Sequence, residues 1–286
     1  MISTWIHAAR PKTLTASLVP VMVGSCLAYS FSQFNLLVSV FAFCSAACIQ
    51  IGTNFFNDAI DFLKGTDTEE RIGPKRITQS GEASAKSVFL AAALVYVLAL
   101  VFAIPLIVEG GLPLLFIGIF SLLMGYAYTG GPYPLSYKGV GEIFVILFFG
   151  VIAVSTVVYL QTQQWKGFAV LAGVQIGSLS TVLLAINNLR DVEGDAKAGR
   201  KTFPIRFGIK AAKIEILFFL FLPFVLLFFW SDKWLMLCWL SFPLAAHLAL
   251  QVWKTSPSPR YNIFLGRAAL LHLLFGLLFS GGLLLS

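Results

Sequence analysis

The strongest constraint on this chain is a succession of apolar blocks, each about as long as a lipid bilayer is thick. Nine can be marked off by hydrophobic length and turn residues, at about 14–32, 36–62, 87–108, 112–130, 139–161, 167–189, 211–230, 233–253 and 262–285. A hydrocarbon core of about 30 Å takes roughly 20 helical residues to cross. Charged residues make up only 12% of the 286 and hydrophobic ones 58%, whereas soluble domains carry about 25% charged. The expectation is an all-α polytopic membrane bundle of about nine transmembrane helices, a single integral-membrane domain over residues 1–286.

Turn chemistry supports several of the breaks: Glu109-Gly110-Gly111, Gly130-Gly131-Pro132 and Ser256-Pro257-Ser258-Pro259. With nine spans, the N-terminus and the loops after spans 2, 4, 6 and 8 fall on one side. All of the 20 Lys and Arg except Lys166 and Lys233 fall there too. The positive-inside rule makes that side cytoplasmic, which places the protein in the cytoplasmic (inner) membrane. The net charge of +7 thus reads as orientation in a lipid bilayer and not as nucleic-acid binding. Trp5, His7, Arg10 and Lys12 lead into the first span without a small-residue cleavage pattern, so no separate signal peptide is expected. Cys26, Cys44, Cys48 and Cys238 lie in apolar segments and read as packing residues.

Two of the loops on the basic side begin with acids. "NFFNDAIDFLKGTD", 54–67, carries Asn57, Asp58, Asp61 and Asp67, and "NNLRDVEGD", 187–195, carries Asn187, Asp191 and Asp195. In each, Asn and Asp stand four apart, and residues four apart on a helix share a face. Each segment should therefore project a column of oxygen ligands from the end of its span. Stacked carboxylates repel and are expensive to desolvate at a membrane boundary, a penalty that a divalent cation removes. Oxygen ligands without Cys or His favour a hard ion such as Mg2+, which binds through one or two carboxylates together with substrate phosphate. Two facing columns could clamp a diphosphate, with Arg71, Lys75, Arg76, Arg200 and Lys201 neutralising the remaining charge.

A diphosphate held beside an apolar bundle points to a lipid diphosphate, whose hydrocarbon tail lies between helices or in the bilayer. Loss of diphosphate from an allylic carbon is the reaction such a site suits. The metal stabilises the leaving group, the site excludes water and aromatic faces attract the allylic cation. Phe55, Phe56, Tyr126 and Tyr128 are aromatic candidates by position.

These residues resemble the two aspartate-rich motifs of the UbiA superfamily of intramembrane prenyltransferases. The likeness extends to "ARPKTLTASLVPVMVG" at 8–24. "GPKRITQSGEAS" (73–84), "YTGGPYPLSYKGVGE" (128–142) and "NNLRDVEGDAKAGRKTFPIRFG" (187–208) look like the 1,4-dihydroxy-2-naphthoate polyprenyltransferases of menaquinone biosynthesis. The resemblance implies nine helices, Mg2+ dependence, a polyprenyl diphosphate donor and an aromatic acid acceptor that loses its carboxylate as carbon dioxide. The broader superfamily often has a further Asp four residues after the position of Asp61. Here that place is Gly65 and Asp67 follows, as in the menaquinone branch.

Within this reading Asp61, Asp191 and Lys138 carry the chemistry. Asn57, Asp58, Asp61, Asp67, Asn187, Asp191 and Asp195 hold metal, and Arg71, Arg76, Arg200 and Lys201 hold diphosphate. The acceptor carboxylate needs a cation and its hydroxyls need hydrogen-bond partners. Lys138, with Tyr133, Tyr137 and Glu142 near it, is one candidate for the cation, and Arg10 is another. Within the superfamily, 4-hydroxybenzoate, haem or another quinol precursor are alternative acceptors. An ion-coupled transporter would instead place its acids near the bilayer midplane, and a phosphatidyl transferase would carry a DGxxAR segment that is absent here.

Overall fold

The computed structural model describes residues 2–66, 72–73 and 76–286, and among these no β-strand occurs. Asp67, Arg71 and Lys75 lie outside the described residues. A short helix α1 (Ile2–Ala9) leads through Arg10 into α2 (Pro11–Ser30), and α3 (Leu36–Leu63) follows. Arg10 adopts the left-handed conformation at φ 53°, and Pro11 starts the next helix with its φ already set. Asn35 caps α3 by accepting the backbone N–H groups of Leu37 (2.9 Å) and Val38 (3.4 Å). Ser84 likewise caps α4 (Ala85–Ala127) at Ser87 N–H.

Among the described residues eight helices are long and apolar enough to cross a membrane, where the sequence predicts about nine spans. The difference lies in α4. Its 43 residues would measure about 65 Å if straight, twice the hydrocarbon thickness. The chain breaks at Gly111 (φ 66°, ψ −154°), beside Pro113 and at the predicted Glu109-Gly110-Gly111 turn, so one continuous helix assignment contains two crossings. The remaining crossings are α6–α7 (Gly141–Ile146 and Ala153–Thr162, joined by a π-turn), α8 (Gly167–Arg190), α10 (Phe203–Leu226), a 3-10 stretch Lys233–Ser241 running into α11 (Phe242–Lys254), and α12 (Tyr261–Leu285). Short helices α5 (Leu135–Lys138) and α9 (Val192–Lys197) lie in the basic loops. The α10 helix starts earlier than the apolar pattern predicts, because a first turn carrying Arg206 precedes a break at Gly208 (φ 84°, ψ 166°), after which the apolar stretch enters the bundle.

The centre of the bundle is α8, which packs against α2, α6, α10 and α12. Its Ile176, Leu179, Val182, Ile186 and Leu189 are buried with Ile216, Leu220 and Phe224 of α10 and Phe275 and Phe279 of α12. The contact with the α6–α7 span is close because both sides are glycine. A methyl added at Gly150 would stand 2.2 Å from the Gly173 carbonyl oxygen, and one at Gly177 would stand 2.8 Å from that of Ile146. By contrast α4 turns Leu90, Leu94, Val97, Val101, Ile104 and Val108 outward, a surface suited to lipid tails and not to water.

Candidate active site

At the basic-rich end of the bundle, α3 ends in the first acidic column. Asn57 accepts a hydrogen bond from the Thr129 hydroxyl through its side-chain oxygen, and its backbone carbonyl accepts one from Arg76 (2.6 Å). The Asp58 carboxylate accepts the Ile77 and Thr78 N–H groups, both at 3.3 Å, and the Thr78 hydroxyl. It thereby ties the 76–80 turn onto the helix. Asp61 is only 2% exposed. Its Oδ2 receives both Arg76 and Arg200 at 2.9 Å, while its buried Oδ1 has no hydrogen-bond partner among the described residues.

The second column is built differently. The α8 helix gives out at Asp191 (φ −95°, ψ 11°), and the chain restarts as α9. Asp191 forms a two-bond pair with Arg190 (2.8 and 2.6 Å), whose remaining donor reaches Asn262 of α12 at 2.7 Å. Asp195 pairs with Arg200 at 3.3 Å, so one guanidinium joins Asp61 of the first column to Asp195 of the second. Burial alone would lower the Arg200 pKa, but Asp61 and Asp195 outweigh it and raise the value, keeping the cation charged. Asn187 accepts the Asp191 N–H through its backbone carbonyl at 3.0 Å. A cavity of about 240 Å³ opens beside the second column, lined by Asp191, Asp195 and Arg200 and by Gly65, Thr66 and Ile72 of the segment that follows α3.

The loop after α4 closes onto both columns. Lys64 donates to the Thr129 carbonyl (2.6 Å). The Tyr137 ring lies between Lys64 Nζ (5.0 Å) and the Arg200 guanidinium (4.9 Å), and its buried hydroxyl has no hydrogen-bond partner among the described residues. Lys201 N–H donates to the Tyr137 carbonyl, and Arg206 to that of Lys138. The Lys138 and Lys201 side chains are exposed and line neither cavity described here; the Lys138 ammonium lies over the Tyr133 ring at 5.4 Å. Arg10 sits at the α1–α2 junction, joined to α3 by the Asn54 amide, which donates to the Ala9 carbonyl at 3.0 Å.

A second cavity, of about 210 Å³, is apolar. It is a groove between α2, α3, α4 and the α6–α7 span, from Thr53, Tyr128 and Leu135 near the acidic end to Leu106, Leu114 and Leu160 at the other. Tyr128 of the groove lies within electrostatic reach of the rim charges. Burial pushes its phenol pKa up, and Glu142, Asp195 and Asp61 push it further against the opposing pull of Arg200. Phe55 and Phe56 are packing residues, edge-on to Trp5 and to Phe89, Tyr96 and Tyr126. The aromatic residues that line the groove are Tyr128, Phe144, Phe148 and Phe149. Sequence reasoning did not single out these three phenylalanines, nor Thr129, Lys64 and Arg190. Only Arg190, adjacent to Asp191, offered a local signal.

An acidic rim facing an apolar groove inside a helical membrane bundle defines an intramembrane enzyme that handles molecules charged at one end and oily at the other. The chain belongs to the UbiA prenyltransferase family, whose model matches residues 17–282, and it is a multi-pass, prenyl-transferring membrane enzyme. It is 34% identical to 1,4-dihydroxy-2-naphthoate octaprenyltransferase from Haemophilus influenzae, over 99% of this chain and 96% of that protein. It is 31% identical to the protein of the same description from Bacillus subtilis, over 97% and 91%. The fold matches an apo UbiA homolog from Aeropyrum pernix (TM-score 0.71, 14% identity, 96% of this chain and 98% of that one). It also matches a UbiA homolog from Archaeoglobus fulgidus bound to GPP and Mg2+ (TM-score 0.67, 18% identity, 99% and 100%).

Proposed function

We propose that this enzyme transfers a polyprenyl group from polyprenyl diphosphate to 1,4-dihydroxy-2-naphthoate, releasing diphosphate and carbon dioxide, in menaquinone biosynthesis. The observation that carries the donor half is the Arg200 guanidinium shared by Asp61 and Asp195 at the edge of one cavity, within electrostatic reach of Tyr128 in the lining of the apolar groove. The acceptor half rests on the long matches to the relatives from Haemophilus influenzae and Bacillus subtilis.

The donor-set chemistry fits Mg2+. Among the described residues no three His, Cys, Asp or Glu side chains converge into a closed cage. Mg2+ needs none, since it keeps waters and takes one or two carboxylates with substrate phosphate. Asp61 would offer Oδ1, its Oδ2 being fixed by two arginines, and Asp191 and Asp195 would act from the second column, with Asn57, Asn187 and Asp67 as further proposed ligands. The bound ion would stabilise the charge developing on the departing diphosphate. Asp58 and Arg76 are assigned differently from the sequence expectation. Asp58 is engaged by the 77–78 backbone and Arg76 by Asn57 and Asp61, so we propose that both position the column. Arg200, with Lys201 next to it in sequence, is the proposed phosphate cation, and Arg71 of the loop after α3 is proposed to assist it. Tyr137, Lys138 and Arg10 are proposed to receive the acceptor at the rim.

The prenyl chain occupies the groove in this reading, and the ring of Tyr128 with Phe144, Phe148 and Phe149 excludes water and faces the allylic cation. The rim faces the cytoplasm of the inner-membrane-bound protein, supported by the concentration of Lys and Arg on that side. The test is incubation of purified protein and Mg2+ with one polyprenyl diphosphate and a panel of aromatic acids, read by mass spectrometry. A prenylated, decarboxylated naphthoquinol is the expected product. Prenylation of 4-hydroxybenzoate alone would overturn the acceptor assignment.

A further inference from the structure

One buried carboxylate near Tyr128 has no part in the metal columns. Glu142, in the first turn of α6, is 8% exposed. Asn188 of α8 donates to its Oε1 at 2.9 Å, and Asn188 itself lies one turn before Asp191. The preceding residue is glycine, and a methyl there would stand 3.6 Å from the Tyr128 hydroxyl oxygen, so the phenol lies against the start of α6. Among the described residues no Lys or Arg forms an ion pair with Glu142. Tyr128 and Glu215 of α10 both lie within electrostatic reach of it, and Glu215 is a second acid. Burying a carboxylate with one neutral amide and a neighbouring acid costs stability without structural return. Such a group is retained where it has chemistry to perform.

The position suggests that chemistry. The reacting carbon of a prenyl diphosphate belongs between the charged rim and the apolar groove, where Tyr128 lines the groove within electrostatic reach of Arg200, Asp195 and Asp61. Three residues beyond Glu142 on the same short helix, and so on the same side of it, Val145 lines that groove. Resting on the prenyl-transfer reading above, we propose that Glu142 is a catalytic residue that accepts the hydrogen bond of a ring hydroxyl on the aromatic acceptor, with Asn188 holding its carboxylate in place. A hydroxyl drawn toward a carboxylate releases electron density into its ring. The ring carbon then forms its bond to the prenyl carbon as the prenyl C–O bond breaks, the electron pair leaving with diphosphate. The acceptor's carboxylate departs as carbon dioxide and leaves its bonding pair to restore the aromatic ring. The hydroxyl proton, shared with Glu142 during attack, stays with the quinol oxygen, so no net proton is gained or lost.

The test compares the dihydroxynaphthoate with its two monomethyl ethers in parent and Glu142→Gln, titrating donor and acceptor separately. Parent should prefer the free hydroxyl over at least one ether. Glu142→Gln should lower kcat with the dihydroxy acid by about 100-fold or more, leave the donor KM unchanged and lose that preference. An equal slowing on dihydroxy acid and ethers, or a shift in donor KM, identifies a structural role and overturns the proposal. If Glu142→Gln does not fold, Asn188→Ala is used instead. It should reduce the preference by about tenfold, the worth of one charge-assisted hydrogen bond, and an unchanged preference overturns the proposal as well. Failure of the parent to prenylate any hydroxylated aromatic acid would be a different result, rejecting the proposed function itself.

Discussion

The two acidic segments have the same Asn/Asp spacing in sequence but are built into the protein in opposite ways. In the first, α3 continues unbroken past Asp61 to Leu63, and its described acids, Asp58 and Asp61, are enclosed. Asp58 is spent on a turn 19 and 20 residues away, and Asp61 on two arginines from separate loops. In the second, the helix fails at Asp191, Glu193 is exposed, and the acids take cations from their own neighbourhood, Arg190 and Arg200. The Asp191 side chain keeps 22% of its exposure against 3% for Asp61. A long-range, buried carboxylate is part of the framework as well as the site. A locally paired, half-open one can change partners cheaply. The comparison divides the rim into a fixed jaw and an adjustable one.

The largest test of that division is Asp61→Asn. It should abolish prenyl transfer and also destabilise the bundle by roughly 3–5 kcal/mol, because two largely buried guanidinium groups lose their shared partner. Thermal unfolding in detergent measures the second effect. An unchanged transition would mean that Asp61 is no more structural than Asp191, and the comparison would collapse.

Asp191→Asn should cut activity as deeply, while costing only about 1–3 kcal/mol, since the buried Arg190 retains Asn262 and can still bond the amide oxygen of the new side chain, and the side chain at 191 keeps part of its exposure. Removal of divalent metal by EDTA should stop the parent enzyme with no loss of stability beyond that of its bound ion. Full turnover after trace metal is stripped would rule out the metal reading for both jaws.

Tyr137→Ala probes the contact between the jaws. The ring sits against Lys64, beside the first column, and Arg200, which bridges both. A cation–π contact contributes about 0.5–2 kcal/mol, so loss of the one to Arg200 should lower catalytic efficiency by about 2- to 30-fold. Tyr137→Phe, which keeps the ring, should recover most of it. If Phe is as poor as Ala, the unpartnered hydroxyl and not the ring contributes the effect, and Tyr137 is a substrate ligand before it is a link.

What was legible in the sequence divides along the same physical line. Apolar length and the Gly110-Gly111 break are local signals, and the spans follow from them within a few residues except at the start of α10. The acidic columns were legible because four-residue spacing is local too. What the carboxylates bind was not, since Thr78 reaches Asp58, Thr129 reaches Asn57 and Asn188 reaches Glu142 only after the helices pack. Spacing likewise cannot distinguish an arginine that holds phosphate from one, like Arg76, whose donors go to the α3 backbone and Asp61.

The smallest expected effect concerns Lys138, which the sequence places among the acceptor ligands and the fold places on an exposed turn over Tyr133. A buried charge-assisted bond to the acceptor carboxylate would contribute about 1.5–3 kcal/mol, or roughly 10- to 150-fold. An exposed ammonium is screened by water and salt, and pairs of that kind contribute about 0–1 kcal/mol. Lys138→Ala should therefore raise the acceptor KM by no more than about fivefold and leave the donor KM alone. The effect should fade with added salt, since exposed charges are screened within about 8 Å at physiological ionic strength. Lys138→Arg should behave like the parent, because only the charge is used. A salt-insensitive loss of 50-fold or more would mean that the 133–139 turn closes over the acceptor during turnover, carrying Lys138 inward. The adjustable side of the rim would then include this turn as well as the Asp191–Arg200 segment.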